Sequence, residues 1–196
     1  IAAPAARMAV LLGSPGLGKS RLLAEFARRL GERATVLSVQ CVAGSGATFA
    51  PLAEALRAQL RVEEGGSPEA LRAAIDAVVP GDEAERAGIA AGFAALLAGA
   101  PALPEETFFV VRRLLAALAT KQPVVLVIDD LQWASPLLLD FTEHLVQWGA
   151  GVPLLVLVAA RLELRDARSS LTTPGGGVSD VVTLGGLDAG AAMRLA

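Results

Sequence analysis

Short apolar runs alternate along the chain with longer stretches in which apolar residues recur every three or four positions. The runs are too short for helices and are rich in valine, leucine and alanine, which is typical of strands buried on both faces of a parallel sheet. We therefore predict five strands, at residues 8–12, 34–41, 124–128, 153–160 and 180–184.

The longer periodic stretches predict helices, and the residues at their boundaries agree. The first follows the first strand and covers residues 21–30. Proline or a Ser-Pro pair stands where a helix would begin, and glycine where one would end. The predicted starts are Pro51, Ser67-Pro68, Pro104 and Ser135-Pro136, and the predicted ends are Gly31, Pro80-Gly81 and Gly149. Asp188 is predicted to cap a last helix reaching Ala196, whereas residues 162–179 are predicted to form a mobile loop.

The region 51–120 has helical patterns throughout and lies between the second and third predicted strands. We interpret it as a helical insertion packed on the flank of one sheet, not as an independent domain. Strands that alternate with helices favour an α/β fold with three layers, α/β/α, and a parallel sheet. Residues 1–196 are enough for one such domain with a sizeable core.

The composition narrows the class of protein. Apolar residues make up 54% and the formal net charge is −3, which excludes a disordered tail and gives no overall basic footprint for nucleic acid. A single cysteine, Cys41, fits a reducing compartment, and we expect a cytoplasmic location. The uncharged run 87–104 is interrupted by glycine and proline, so we predict a packed helix plus a loop there and no membrane insertion.

A glycine-rich segment between the first predicted strand and helix matches the phosphate-binding pattern G-x-x-x-x-G-K-[ST]. Its glycines permit a tight curl around a triphosphate, and the following helix presents free N–H groups to the anion. We expect Lys19 to reach the β- and γ-phosphates and the Ser20 hydroxyl to bind Mg²⁺. The predicted nucleotide contacts are Gly13, Ser14, Pro15, Gly16, Leu17, Gly18, Lys19, Ser20 and Arg21.

Two adjacent carboxylates end the third predicted strand, and ligands of open α/β sheets bind at the carboxyl ends of strands. We predict that Asp129 holds Mg²⁺, directly or through water, and that Asp130 polarises an attacking water molecule. The alternative is that the Asp-Asp pair only starts a turn.

Three further side chains near the predicted strand ends leave alternatives open. Arg161 follows the fourth strand and either senses the γ-phosphate or pairs with Glu163 on the surface. Trp133 either packs the turn after the third strand as a buried aromatic plug or contacts the nucleotide or a moving element. His144 lies off the apolar stripe of its helix and is either a solvated residue or a general base.

With these motifs assigned, the chain resembles the STAND-type branch of the AAA+ ATPases. The segments GSPGLGKSRLLAEFARRL, VVLVIDDLQWAS and VTLGGLDAGAAMRLA carry the resemblance, together with the arginine that closes the fourth strand. The closest likeness is to the ATPase module of large LuxR-type transcriptional regulators and of some multidomain adenylate cyclases. The resemblance implies the strand order 5-1-4-3-2, and catalytic roles for Lys19, Asp130 and Arg161.

The resemblance also implies what the protein does: it binds ATP or ADP with Mg²⁺ and hydrolyses ATP slowly as a switch in a larger signalling protein. A helical lid and winged helix are expected after residue 196, and effector and DNA contacts are expected only through other domains. Self-association would depend on nucleotide. Three alternatives remain: the ATPase module of an adenylate or guanylate cyclase, a P-loop kinase for a small molecule, and a scaffold that binds nucleotide without hydrolysis.

Overall fold

The computed structural model describes residues 6–44, 49–149, 151–175 and 178–186. Its first half contains a strand, a helix and a second strand, and then four helices in succession. These elements are β1 (Arg7–Leu12), α1 (Lys19–Leu30), β2 (Thr35–Gln40), α2 (Ala50–Gln59), α3 (Pro68–Asp76), α4 (Glu83–Leu97) and α5 (Pro104–Ala119). The helix capped by Asp188 lies outside the described residues.

The second half supplies three strands, each separated from the next by helices. Its elements are β3 (Val124–Asp129), α6 (Pro136–Trp148), β4 (Leu154–Ala160), α7 (Leu164–Ala167), α8 (Ser169–Thr172) and β5 (Val178–Thr183). Short 3₁₀ turns follow α1 at Gly31–Arg33 and β3 at Leu131–Trp133. The predicted helix caps are confirmed at Ser67 and Ser135, whose hydroxyls accept backbone N–H groups of the first helical turn.

The five strands form one parallel sheet in the order β2-β3-β4-β1-β5. Read from the other edge this is the expected order 5-1-4-3-2. β3 and β4 lie inside the sheet and have the longest aliphatic runs, because both faces of each strand are covered. All five strands point the same way, so the segments that follow them meet at one edge of the sheet.

The two faces of the sheet are covered unequally. One face packs against α2 to α6 and carries most of the core, including three phenylalanines in mutual contact, Phe49, Phe108 and Phe141, with ring centroids 5.0–6.1 Å apart. The other face has a smaller cluster around Leu11, Val127 and Leu23 of α1. The helices between β2 and β3 thus share the core of the sheet and lie on its flank.

Residues 162–175 are more ordered than the predicted loop. They form α7 and α8, and Leu164 and Leu171 are buried in the main core, 2% and 1% exposed. Arg168 between these helices forms an ion pair with Asp140 of α6, at 2.6 Å. Single-turn helices are too short to show an apolar periodicity, so only the packing of the two leucines reveals them.

α4 covers the first part of the uncharged run and is followed by a loop, as predicted. In the described part of the chain, every helix falls short of the length or the apolar character that crossing a bilayer requires.

Candidate functional site

The glycine-rich segment joins β1 to α1 and is held to the strands on both sides of β1. Gly13 donates its N–H to the carbonyl oxygen of Ala160 at the end of β4 (3.2 Å), and Leu184 beyond β5 donates to that of Leu12 (2.7 Å). A Cβ at position 13 would come within 3.3 Å of both Leu17 and Leu184. Glycine at this position therefore lets three strand ends close around the loop.

Two further glycines produce the curl of the loop. Gly16 and Gly18 have φ angles of +80° and +83°, in the left-handed region that strains any residue with a side chain. Gly18 directly precedes α1, and no side chain caps that helix end. The first N–H groups of α1 therefore point out of the helix without a capping acceptor, which makes this helix N-terminus suited to a phosphate.

Lys19 is the first residue of α1 and its side chain folds back over the loop. The Nζ group donates to the carbonyl oxygens of Gly13 (2.8 Å) and Ser14 (3.0 Å), and the residue is 7% exposed. A buried ammonium must keep hydrogen-bond acceptors. The loop thus holds one positive charge inside its curl, where phosphate oxygens could take the place of the carbonyls.

The two aspartates at the end of β3 lie in different surroundings. Asp129 is the last residue of the strand and is 8% exposed, and its Oδ1 accepts the backbone N–H of Asp130 at 2.9 Å. Asp130 has φ 56° and ψ 41°, a left-handed conformation that aspartate tolerates better than most residues. Because the backbone turns here, the Asp129 side chain stays buried at the end of the sheet, whereas the Asp130 side chain is half-exposed.

Two glutamine side chains hold the carboxylate of Asp130. Gln40 at the end of β2 donates to Oδ2 and Gln132 donates to Oδ1, both at 2.8 Å. The Oε1 atom of Gln132 also accepts the backbone N–H of Arg161 at 3.0 Å. The ends of β2, β3 and β4 are therefore joined through Asp130.

Both glutamines are site residues for which the sequence interpretation assigned no role. Gln40 could have been found as a polar residue at the carboxyl end of a strand, where ligands bind. Gln132 lies in the segment DDLQW, but nothing in the spacing indicates that the nitrogen and the oxygen of its side-chain amide join two strand ends.

Ser20 and Asp129 line one cavity of about 320 Å³ between α1 and the sheet edge at β2. A hydroxyl and a carboxylate are oxygen ligands of the kind that Mg²⁺ prefers, with phosphates and water completing its shell. Within the described residues no group of three or more His, Cys, Asp or Glu side chains could hold a metal ion. Because they are oxygen ligands, Ser20 and Asp129 fit a Mg²⁺ that shares its coordination with a phosphate.

Cys41 shows how the aspartates affect their surroundings. Burial, and then the charges of Asp130 and Asp129, raise the pKa of its thiol to about 11. The thiol therefore stays protonated at neutral pH and is a poor nucleophile. A cation near this edge of the sheet would offset the negative charge that the thiol senses.

Arg161 follows β4 and is half-buried. Its guanidinium lies over the indole ring of Trp133, 5.2 Å from the centroid. It forms no ion pair with Glu163, which removes the surface-pairing alternative. Trp133 is 43% exposed, so the interpretation as a buried plug is wrong, because the 3₁₀ turn after Asp130 directs the ring outward.

Arg21 lies on the other flank of the loop. It lines a larger, mostly apolar cavity of about 570 Å³ with Leu17, Leu22 and Leu184. The structure thus divides the predicted contacts into a polar side, where Lys19, Ser20 and the aspartates meet, and an apolar side suited to a flat organic group.

His144 belongs to a different part of the molecule. On α6, its Nε2 atom lies 2.8 Å from the guanidinium of Arg112 on α5, and its ring lies 5.4 Å from that of Phe108. Burial, and then the charge of Arg112, lower the pKa of His144. It is therefore a packed residue rather than a fully solvated one, and its partners are not those of a general base.

Comparison with known proteins identifies the family of the chain and agrees with its fold. A family model described as an AAA ATPase domain matches residues 1–157. The structure is similar to Cdc6p from Pyrobaculum aerophilum, with a TM-score of 0.52 and 17% identity over 92% of this chain. It is also similar to the ORC2 protein of Aeropyrum pernix in its ADPNP-ADP complexes, with a TM-score of 0.52 and 13% identity over 93% of this chain.

At these identities the two structural matches establish the fold alone. The chain spans 39% of the length of the first and 42% of the second. A search of the curated proteins found no significant relative.

Proposed function

The chain belongs to the AAA ATPase domain family, and from that premise we propose that it is an ATP-binding switch that hydrolyses ATP slowly. The observation that carries the proposal is the junction of three strand ends. The phosphate-binding loop after β1 is bonded to the end of β4, and the end of β4 is bonded through Gln132 to Asp130 after β3.

Each polar group at this junction has a role in the proposal. Lys19 exchanges its loop carbonyls for β- and γ-phosphate oxygens, and the N–H groups at the start of α1 bind the same phosphates. Ser20 and Asp129 hold Mg²⁺. When bound, the metal ion neutralises phosphate charge in the transition state. Asp130 orients a water molecule for attack, and Arg161 contacts the γ-phosphate.

The hydrogen bonds of Asp130 hold its carboxylate in place beside the loop. Each carboxylate oxygen accepts one amide N–H, from Gln40 or Gln132. Each oxygen keeps a second lone pair, so Asp130 can accept a hydrogen bond from the attacking water while the two amides fix the orientation of its carboxylate. The slow rate in the proposal rests on the resemblance to STAND-type switch ATPases.

The finer part of the proposal concerns the longer protein. On the resemblance described above, we place the domain in a STAND-type signalling or transcription-regulating protein similar to the large LuxR-type regulators. An effector and DNA would act through other domains, and the nucleotide would control self-association.

The binding site is tested by calorimetry on Lys19→Ala. Losing the charged donor to the β- and γ-phosphates should weaken binding of Mg-ATP about 100-fold, since hydrogen bonds to charged groups contribute ~1.5–3 kcal/mol each. Lys121→Ala is the matched control, because Lys121 is the one other lysine of the chain and is exposed ahead of β3. Equal affinity of Lys19→Ala and Lys121→Ala would overturn the proposal.

The reaction is tested separately by analysis of products. A switch releases only ADP and phosphate, at a rate far below the ~10 s⁻¹ that is typical of enzymes. A phosphorylated acceptor in a mixture of small metabolites would instead identify a kinase. ATP binding without any release of phosphate would identify a scaffold.

A further inference from the structure

Arg161 has a fixed backbone and a side chain that can change partners. Its N–H donates to Gln132, its carbonyl oxygen accepts from Leu164 (3.2 Å), and the preceding carbonyl, that of Ala160, accepts from Gly13. The guanidinium makes no ion pair and no hydrogen bond with any other described residue, and among these residues it contacts the face of Trp133. Rotation about the side-chain bonds would therefore move the charge without moving the strand.

Trp133 and the glycine-rich loop lie on opposite sides of Arg161. β4 lies between β3 and β1 in the sheet, so Arg161 has the Asp130–Trp133 turn on one side and the phosphate-binding loop on the other. The contact with Trp133 draws the guanidinium toward the β3 side and toward solvent, since 43% of Trp133 is exposed. A phosphate held by the loop lies on the β1 side.

We propose that Trp133 is a positioning residue that holds the Arg161 guanidinium away from the γ-phosphate, so that binding of ATP must displace Arg161 from the indole. The inference rests on the proposed function, in which Arg161 contacts that phosphate. ADP lacks the γ-phosphate and leaves the contact with Trp133 in place. Trp133 then reduces the preference of the domain for ATP over ADP.

The relative strength of the two contacts makes the exchange feasible. A cation over an exposed aromatic ring is held weakly, whereas a guanidinium on a phosphate forms two charge-assisted hydrogen bonds. The guanidinium therefore binds the γ-phosphate in preference to Trp133, and the loss of the contact with Trp133 slightly lowers the affinity for ATP. By the usual value of an exposed cation–π contact, that penalty corresponds to about a two- to five-fold loss of ATP affinity.

The first experiment measures affinities by calorimetry for ADP and for an ATP analogue with a non-cleavable β–γ bridge, both with Mg²⁺. Trp133→Leu removes the aromatic face and should tighten binding of the analogue about two- to five-fold while leaving ADP unchanged. Trp133→Phe keeps an aromatic face that attracts the guanidinium more weakly, so its affinity for the analogue should lie between those of Trp133→Leu and the wild type. Arg161→Ala should remove the difference between the Trp133 variants.

The second experiment measures the exposure of the indole directly and leaves Trp133 intact. The chain has two tryptophans, so Trp148→Phe makes Trp133 the one fluorophore. Acrylamide quenching should increase on addition of the ATP analogue, because the guanidinium leaves the ring, and should not change with ADP. In Trp133→Phe, Trp148 reports instead, and its quenching should not respond to either nucleotide.

The outcomes separate this inference from the proposed function. If neither nucleotide binds, the proposed function fails. If both bind and the quenching of Trp133 does not differ between them, or if Trp133→Leu weakens binding of the analogue, the positioning role of Trp133 is wrong and the nucleotide site stands.

Discussion

Two arginine–tryptophan contacts of nearly equal length lie in different surroundings. Arg161 lies 5.2 Å from the ring of Trp133 at the sheet edge, and Arg112 lies 5.1 Å from the ring of Trp148 between α5 and α6. Arg112 is also bonded to His144, and its Nε atom is buried without a hydrogen-bond partner in the described structure. Burial lowers the pKa of Arg112.

The difference shows that the surroundings, not the contact, determine what such a pair does. Arg112 is partly buried, with its Nε atom shielded from solvent and its guanidinium against His144, and it lies away from the glycine-rich loop, so it serves packing. Arg161 is half-exposed beside a loop that can bind an anion, so its contact can be replaced. We therefore expect changes on the α5–α6 side to affect stability, and changes at the sheet edge to affect nucleotide chemistry.

The largest effect is expected on the α5–α6 side. Phe141 is fully buried and contacts Phe49 and Phe108, so Phe141→Ala leaves a cavity and should lower the free energy of unfolding by about 3–5 kcal/mol. Urea titration followed by circular dichroism measures it. Nucleotide affinity of the protein that remains folded should be unchanged, and a parallel loss of affinity would show that the two regions are coupled.

At the sheet edge, Asp130→Asn should separate chemistry from stability. An amide cannot accept a proton from water, so release of phosphate should fall about 10²- to 10⁴-fold. Binding of Mg-ATP should be retained, because Asp129 and Ser20 are intact. Phosphate release in single turnovers measures the first quantity and calorimetry the second. Turnover that survives would assign the water to another group and leave Asp130 a structural role.

A matched pair of arginine substitutions tests the comparison itself. Arg112→Ala should lower the free energy of unfolding by about 1–2 kcal/mol through lost packing and leave ATP affinity unchanged. Arg161→Ala should lower ATP affinity about ten-fold or more, because two charge-assisted hydrogen bonds to phosphate are lost and the contact with Trp133 offsets only part of them, with little change in stability. Exchanged outcomes, with Arg161 affecting stability and Arg112 affecting ATP, would contradict the distinction.

The smallest effect is expected from the protonation of His144. Burial and Arg112 lower its pKa in the folded protein below the usual 6.5, so the unfolded chain binds a proton more readily. The stabilising contribution is present above about pH 6.5 and is lost as the pH falls through that value toward the folded pKa. Urea titrations at pH 7.5 and 6.0 should show this loss. His144→Gln should reduce the change in the free energy of unfolding between these two pH values. If that change is unaltered in the variant, other groups cause it.

Much of the fold follows from local features that the sequence shows directly. Buried parallel strands have continuous aliphatic runs, and Ser-Pro pairs and glycines mark helix ends, because these effects act within a few residues. The pattern of residues and the flanking elements predict the phosphate-binding loop and the role of the two aspartates. The strand order was expected from resemblance, and the sheet confirms it. Single-turn α7 and α8 were missed because no period fits within four residues.

The contacts within the candidate site could not be predicted in this way, because its polar groups are far apart in sequence. Gln40 and Asp130 are 90 residues apart, and Gln132 and Arg161 are 29 apart, so no local pattern could pair them. The sequence by itself determined which residues we predict to bind phosphate and metal, since loop curvature and ligand type are local properties. Only the tertiary structure decided which neighbours hold those residues and which arginine lies against Trp133, because that depends on how the sheet brings distant strand ends together.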